Sequence, residues 1–127
     1  MRTHRQMRRA TAAVGFGLAA GLLWAPVVAA EITVASRDAT VDGIAVTEGQ
    51  HLAIVDGRAF ATADDLWTVL DALLAHFADK GLSLVNVYRG EDAPDEGEIA
   101  ARIEQQGLEA AVLWGGQPHY PLLLSGE

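Results

Sequence analysis

Cysteine is absent from the 127 residues, which excludes disulfide scaffolds, zinc knuckles and thiol nucleophiles. Basic residues are few. Nine Lys and Arg stand against seventeen Asp and Glu, a formal charge of −8 at pH 7, which argues against a basic nucleic-acid footprint. Three catalytic signatures are missing too: no G-x-G-x-x-G follows a strand, and there is neither a G-x-x-x-x-G-K-[ST] phosphate loop nor a G-x-S-x-G elbow. No two histidines stand at metal spacing, and neither an internal repeat nor a low-complexity linker is present. What remains is 50% hydrophobic and 20% charged, the profile of one globular domain.

The charge is unevenly placed. The first thirty residues hold Arg2, Arg5, Arg8 and Arg9 and no acid, leaving five basic residues and all seventeen acids in residues 31–127. That part repels free nucleotides and anionic lipid, so a module docking onto a partner fits it better than a stand-alone phosphate-binding enzyme. Residues 10–30 are uncharged. With the arginines before them and small residues after Pro26, they have the layout of a secretory signal, with a membrane anchor, an insertion or a helix of the fold as alternatives. The domain reading is therefore a signal-peptide-like or inserted segment over 1–30 and a folded domain over 31–127.

Residues 31–36 alternate and read as a strand. Asp42-Gly43 and Asp56-Gly57 sit between short apolar runs as hairpin turns, so the region to residue 61 reads as a small meander. The period then changes. Leu66, Val69, Leu70, Leu73, Leu74 and Phe77 form one helical stripe, with Thr62 as N-cap, Asp65 three residues on, and Lys80-Gly81 at the end. A strand over 82–88, a helix opened by Asp92 to Asp95 with Pro94 near its first position, a strand over 109–114 and a final strand from Tyr120 follow. The fold class is thus α/β: a meander, then a βαβαβ succession in a three-layer-type arrangement with helices, on a sheet expected to be mixed.

Open α/β sheets bind ligands where strands end. Two loops fall there. Gly115, Gly116, Gln117, Pro118, His119 and Tyr120 read either as a ligand or partner loop or as a rigid turn. Arg89, Gly90, Glu91 and Asp92 read either as a contact for an anion or metal or as a helix cap with a surface ion pair. His51 and His76 have no partner in the sequence pattern.

The runs 31–43, 49–57, 87–93 and 116–127 together resemble the C-terminal domain of the fatty acid kinase A subunit, in the dihydroxyacetone-kinase-like, DAK2-domain family. Arg37 and Asp38, in the first run, join the two loops as candidate partner or ligand contacts. The resemblance implies an α/β module without catalytic residues that helps engage a DegV-like partner carrying the fatty acid. ATP and Mg are expected only in a separate kinase domain, and none of the chain's own residues is expected to hold a cofactor or metal. It also implies a cytoplasmic location, with export or anchoring through residues 1–30 as the alternative; membrane contact is expected only if 10–30 act as an anchor. Two further readings stay open: a phosphotransferase component completed in trans by an ATP-binding chain, and an exported small acidic binding protein.

Overall fold

A computed structural model describes residues 27–127. Among the described residues the chain runs β1 (Val28–Val34), β2 (Ala39–Val41), β3 (Ile44–Val46), β4 (His51–Val55), β5 (Arg58–Ala63), α1 (Leu66–Asp79), β6 (Leu84–Arg89), α2 (Glu96–Gln105), β7 (Glu109–Trp114) and β8 (Leu122–Gly126). Six strands form one sheet in the order β5-β4-β1-β8-β6-β7, and β2 and β3 form a separate hairpin. Every neighbouring pair in the large sheet is antiparallel except β6 and β7.

The α/β class and the mixed sheet are as the sequence implies. Among the described residues both helices pack on one face of the sheet, which makes two of the three layers read from the sequence. Ile32, Val85, Val87, Leu122 and Leu124 point to that face and share one core with Leu70, Leu73 and Phe77 of α1 and Ile99 and Ile103 of α2. Burying each such side chain stabilises the fold by about 1.5–3 kcal/mol. The helices also meet directly. Arg102 of α2 places its guanidinium 4.8 Å from the Trp67 ring centroid and reaches Asp71 of α1 at 2.6 Å. Strands β5, β6 and β7 do run in one direction, as a βαβαβ succession requires, but β4, β1 and β8 lie between β5 and β6. The interposed β8 is apolar on both sides, with Leu122 and Leu124 in the core and Leu123 on the other face.

Both Asp-Gly pairs make two-residue hairpin turns. Asp42 and Asp56 have φ of 51° and 49° and the glycines after them 83° and 84°, the geometry that matches the strand twist. Their carboxylates tie elements together: Asp42 accepts from the Ala59 amide at 2.8 Å, joining the small hairpin to β5, and Asp56 accepts from the Ala29 amide at 3.1 Å.

Each helix stops the same way. Gly81 and Gly107 both take φ of +79°, and the residue after each donates back into the last turn, Leu82 to the Phe77 carbonyl at 3.2 Å and Leu108 to that of Ile103 at 3.3 Å. These are Schellman ends, and buried Leu82 and Leu108 close them with apolar contact. The helix starts differ from the sequence reading. Thr62 belongs to β5, where its hydroxyl donates to the His51 carbonyl at 2.8 Å. The cap of α1 is Asp65, which accepts from the Thr68 amide at 2.9 Å and the Thr68 hydroxyl at 2.7 Å. Asp95 caps α2 through Gly97 and Glu98, so Pro94 precedes the cap instead of opening the helix.

The bond from the Thr68 hydroxyl, and then that from its amide, hold the Asp65 carboxyl below its ordinary 3.8. A lowered folded value means the capping contribution is complete above the unfolded pKa and fades as pH falls through the folded one. Asp65→Ala should therefore melt below wild type at pH 7, and the gap should shrink as the solution is acidified below pH of about 4. Melts recorded against pH test this; a constant gap would contradict it.

The basic and apolar stretch read over 1–30 lies outside the described residues as far as residue 26. Its last part is strand: β1 starts at Val28, ahead of the Glu31 boundary, and Val28 and Ala30 are buried. Cleavage near Ala30 would cut β1 inside the sheet. Among the described residues no helix is long and apolar enough to cross a membrane.

Candidate functional site

Strands β1, β6 and β7 all end at the same edge of the sheet, and a cleft of about 460 Å³ opens there. The end of β1 supplies Thr33 and Val34, followed by Ser36, and the start of β4 supplies His51. The loop after β6 adds Glu91 and Asp92. The loop between β7 and β8 adds Gln117, His119, Tyr120 and Pro121.

A set of backbone bonds locks the two loops together. The Gly115 and Gly116 amides both donate to the Arg89 carbonyl at 2.9 Å, the Glu91 amide donates to the Gln117 carbonyl at 3.2 Å, and the Gly90 amide donates to that of Pro121 at 2.8 Å. Gln117 is spent on the same task. Its side-chain amide donates to the carbonyls of Tyr88 at 2.9 Å and Tyr120 at 3.0 Å. His119 sits at φ of +72°, uncommon for a residue with a side chain, and its carbonyl accepts from the Thr33 hydroxyl at 3.0 Å. The β7–β8 loop is thereby tied to β1, and the His119 imidazole is left without a hydrogen-bond partner among the described residues. His51 has its Nδ1 3.3 Å from the Asp64 carbonyl.

The twelve candidate residues from the sequence divide. Glu91, Asp92, Gln117, His119 and Tyr120 line the cleft, and Gly90, Gly115, Gly116 and exposed Pro118 shape its loops. Arg89 does not line it: its Nε donates to the Pro94 carbonyl at 3.0 Å, and its guanidinium lies 5.6 Å from the Trp114 ring centroid. Asp38 accepts from the Glu48 amide at 2.8 Å and fastens the turn after β1. Arg37 is exposed and makes no ion pair among the described residues. Sequence reasoning does not place Thr33, Val34, Ser36, His51 and Pro121 in this cleft. Only the pairing of β1 with β4, Val34 opposite His51, brings His51 beside the end of β1.

Among the described residues the lining offers two carboxylates, two imidazoles and three hydroxyls, and no Lys or Arg. Such a surface suits a group rich in hydrogen-bond donors, hydroxyl or cationic. Glu91 and Asp92 repel the phosphates of a nucleotide unless a cation intervenes, and among the described residues there is no group of three His, Asp or Glu that could hold one.

Comparison with known proteins agrees with the resemblance. The family of fatty acid kinase A-subunit-like C-terminal domains matches residues 2–127. The uncharacterized protein SH1689 of Staphylococcus haemolyticus is 26% identical over 100 residues, 76% of this chain and 18% of that protein. Protein YloV of Bacillus subtilis is 25% identical over 101 residues, again 76% of this chain and 18% of its own length. The chain thus aligns with under a fifth of the curated relatives it matches. With a family match that runs over nearly its whole length, the chain belongs to the family of fatty acid kinase A-subunit-like C-terminal domains.

Proposed function

We propose that this chain is a docking module that brings an acyl-carrying, DegV-like protein to a separate ATP-binding domain, which performs the phosphoryl transfer. The observation that carries the reading is the convergence of the β6–α2 and β7–β8 loops on the end of β1, which builds a rigid, acidic, hydroxyl-rich cleft. Rigidity matters because loops already held by their own hydrogen bonds lose little entropy when a partner docks. The free imidazole of His119 and the carboxylates of Glu91 and Asp92 are the groups available to that partner. ATP and Mg2+ belong to the other domain, and no step of the transfer is assigned to residues of this chain. Support for the kinase context comes from the family; support for docking comes from the cleft.

The test is co-purification from the native cell with the full chain as bait. A fatty-acid-carrying protein should be retained by wild type and lost with His119→Gly, which removes the imidazole and suits the positive φ, and with Glu91→Ala. Each change should weaken binding about tenfold, or ~1.4 kcal/mol. Equal retention by all three would show that the partner does not dock at the cleft. Recovery of an ATP-binding chain alone would favour the trans-completed phosphotransferase.

A further inference from the structure

The large sheet has two edge strands, β5 and β7, and they are finished differently. An edge strand presents a row of unpaired amides and carbonyls, which proteins blunt with bulges, charges, prolines or a covering element. β5 is blunted twice: its register with β4 shifts between Ala53 and Ile54, and its Ala59 amide is taken by the Asp42 carboxylate at 2.8 Å. Along the edge of β7 there is no bulge and no covering element among the described residues. It pairs with β6 from Leu84 and Glu109 to Arg89 and Trp114 without a shift, holds no Pro, Lys or Arg, and leaves Leu113 47% and Trp114 63% exposed. The Glu109 amide donates to the Ser83 carbonyl and the Gly115 amide to that of Arg89. Odd-numbered residues of β7 thus bond to β6, and the backbone groups of Ala110, Val112 and Trp114 point out of the sheet.

We propose that β7 of a second copy of this chain pairs antiparallel with that edge, across a two-fold axis at Val112, and joins the two sheets into one. The inference is independent of the docking reading. What selects a second copy is the self-complementarity of the strand. A two-fold contact sets outward-pointing residues against outward-pointing residues, and the axis at Val112 is the register that keeps Ala110, Val112 and Trp114 all paired within the strand. Val112 then meets its own counterpart and Ala110 meets Trp114, while on the opposite face Ala111 meets Leu113. Each large exposed side chain therefore lies against a small one, at a spacing where cross-strand neighbours touch. Charge agrees. Residues 31–127 hold seventeen acids, yet residues 110–118 hold no ionisable group, so two acidic copies can approach here without facing carboxylates. Glu109 falls opposite Gly115, and the two Glu109 side chains stand about 20 Å apart along the strands. The contact is one strand and its flanking side chains, which makes a small, reversible interface rather than an obligate one.

The test is sedimentation of the full chain from about 1 µM to about 1 mM, the range of weak complexes. Wild type should pass from monomer to dimer and return on dilution. Val112→Pro removes the central outward amide, which an edge strand tolerates because that amide is turned away from β6. Trp114→Glu keeps the backbone and puts a carboxylate where the exposed ring was. Each should weaken dimerisation at least about tenfold. The chain has no cysteine, so Val112→Cys places one thiol per copy at the axis, where a Cα separation of about 5.5 Å suits a disulfide. Oxidised glutathione should link that variant into dimers and leave Arg58→Cys, exposed on the opposite edge strand, largely unlinked. A wild-type chain that stays monomeric at every concentration would overturn the proposal. So would a dimer that Trp114→Glu and Val112→Pro both leave intact, or one that Val112→Cys does not link, since each puts the contact elsewhere.

Discussion

Phe77→Ala should lower the free energy of unfolding by about 3–5 kcal/mol. Phe77 is fully buried in the last turn of α1, and three roles meet there. Its ring fills the space beside Gly126 of β8, where an added Cβ would lie only 3.1 Å from the ring. Its carbonyl accepts from both Lys80 and Leu82 at 3.2 Å, and Leu82 packs at the same spot. Truncation therefore leaves a cavity between the helix layer and a central strand, where relaxation is limited by β1 and β6 on either side. Urea melts at neutral pH measure the change directly. A loss under about 1 kcal/mol, the level of a tolerated core swap, would mean that the α1–β8 contact is not as described.

Gly90→Ala should cost about 1–3 kcal/mol and open the cleft as well. Gly90 is buried at the end of β6. A Cβ there would run into the Tyr120 carbonyl and lie 2.7 Å from that of Gln117. Both obstacles are backbone, so neither can swing aside, and both belong to the loop that presents His119. The methyl group must push the β7–β8 loop away from the β6–α2 loop and stretch the bonds between Gly90 and Pro121 and between Glu91 and Gln117. Partner affinity should fall together with stability. His119→Gly, in contrast, should reduce affinity while leaving the melting transition near that of wild type. Gly90→Ala protein that keeps wild-type stability would show that the two loops are not in contact.

Much of this arrangement is legible in local pattern. The stripe from Leu66 to Phe77 and the glycines at 81 and 107 define α1 and the helix ends, because each rests on residues three to five apart. Asp42-Gly43 and Asp56-Gly57 fix their hairpins for the same reason. Residues 109–114 read as a strand because Gly107 stops one element and Gly115 the next. The N-cap of α1 lies three residues beyond the one the sequence suggests: Thr62 and Asp65 have the spacing of a capping pair, but pairing of β5 with β4 claims Thr62, and Asp65 reaches Thr68 instead. The position of β8 is not legible at all. Apolar residues on both its faces show that it is interior, and nothing local shows which two strands it separates. The cleft inherits that limit. Glu91, Asp92, His119 and Tyr120 can be found because they follow strands, while His51 and Thr33 enter only through long-range pairing. Arg89 reads as a contact for a ligand by its charge; its alternation in β6 instead sends it to the helix-covered side, towards Trp114.

The docking role is tested most closely by a titration of the isotope-labelled full chain with an acyl-loaded DegV-like protein, followed by amide NMR. Saturable binding is expected, with shift changes centred on Glu91, Asp92, His119, Tyr120 and His51, and smaller changes on α1 and along the β2–β3 hairpin. Saturable binding whose shifts fall only on α1 and α2, or no binding at all at high concentration, would contradict it.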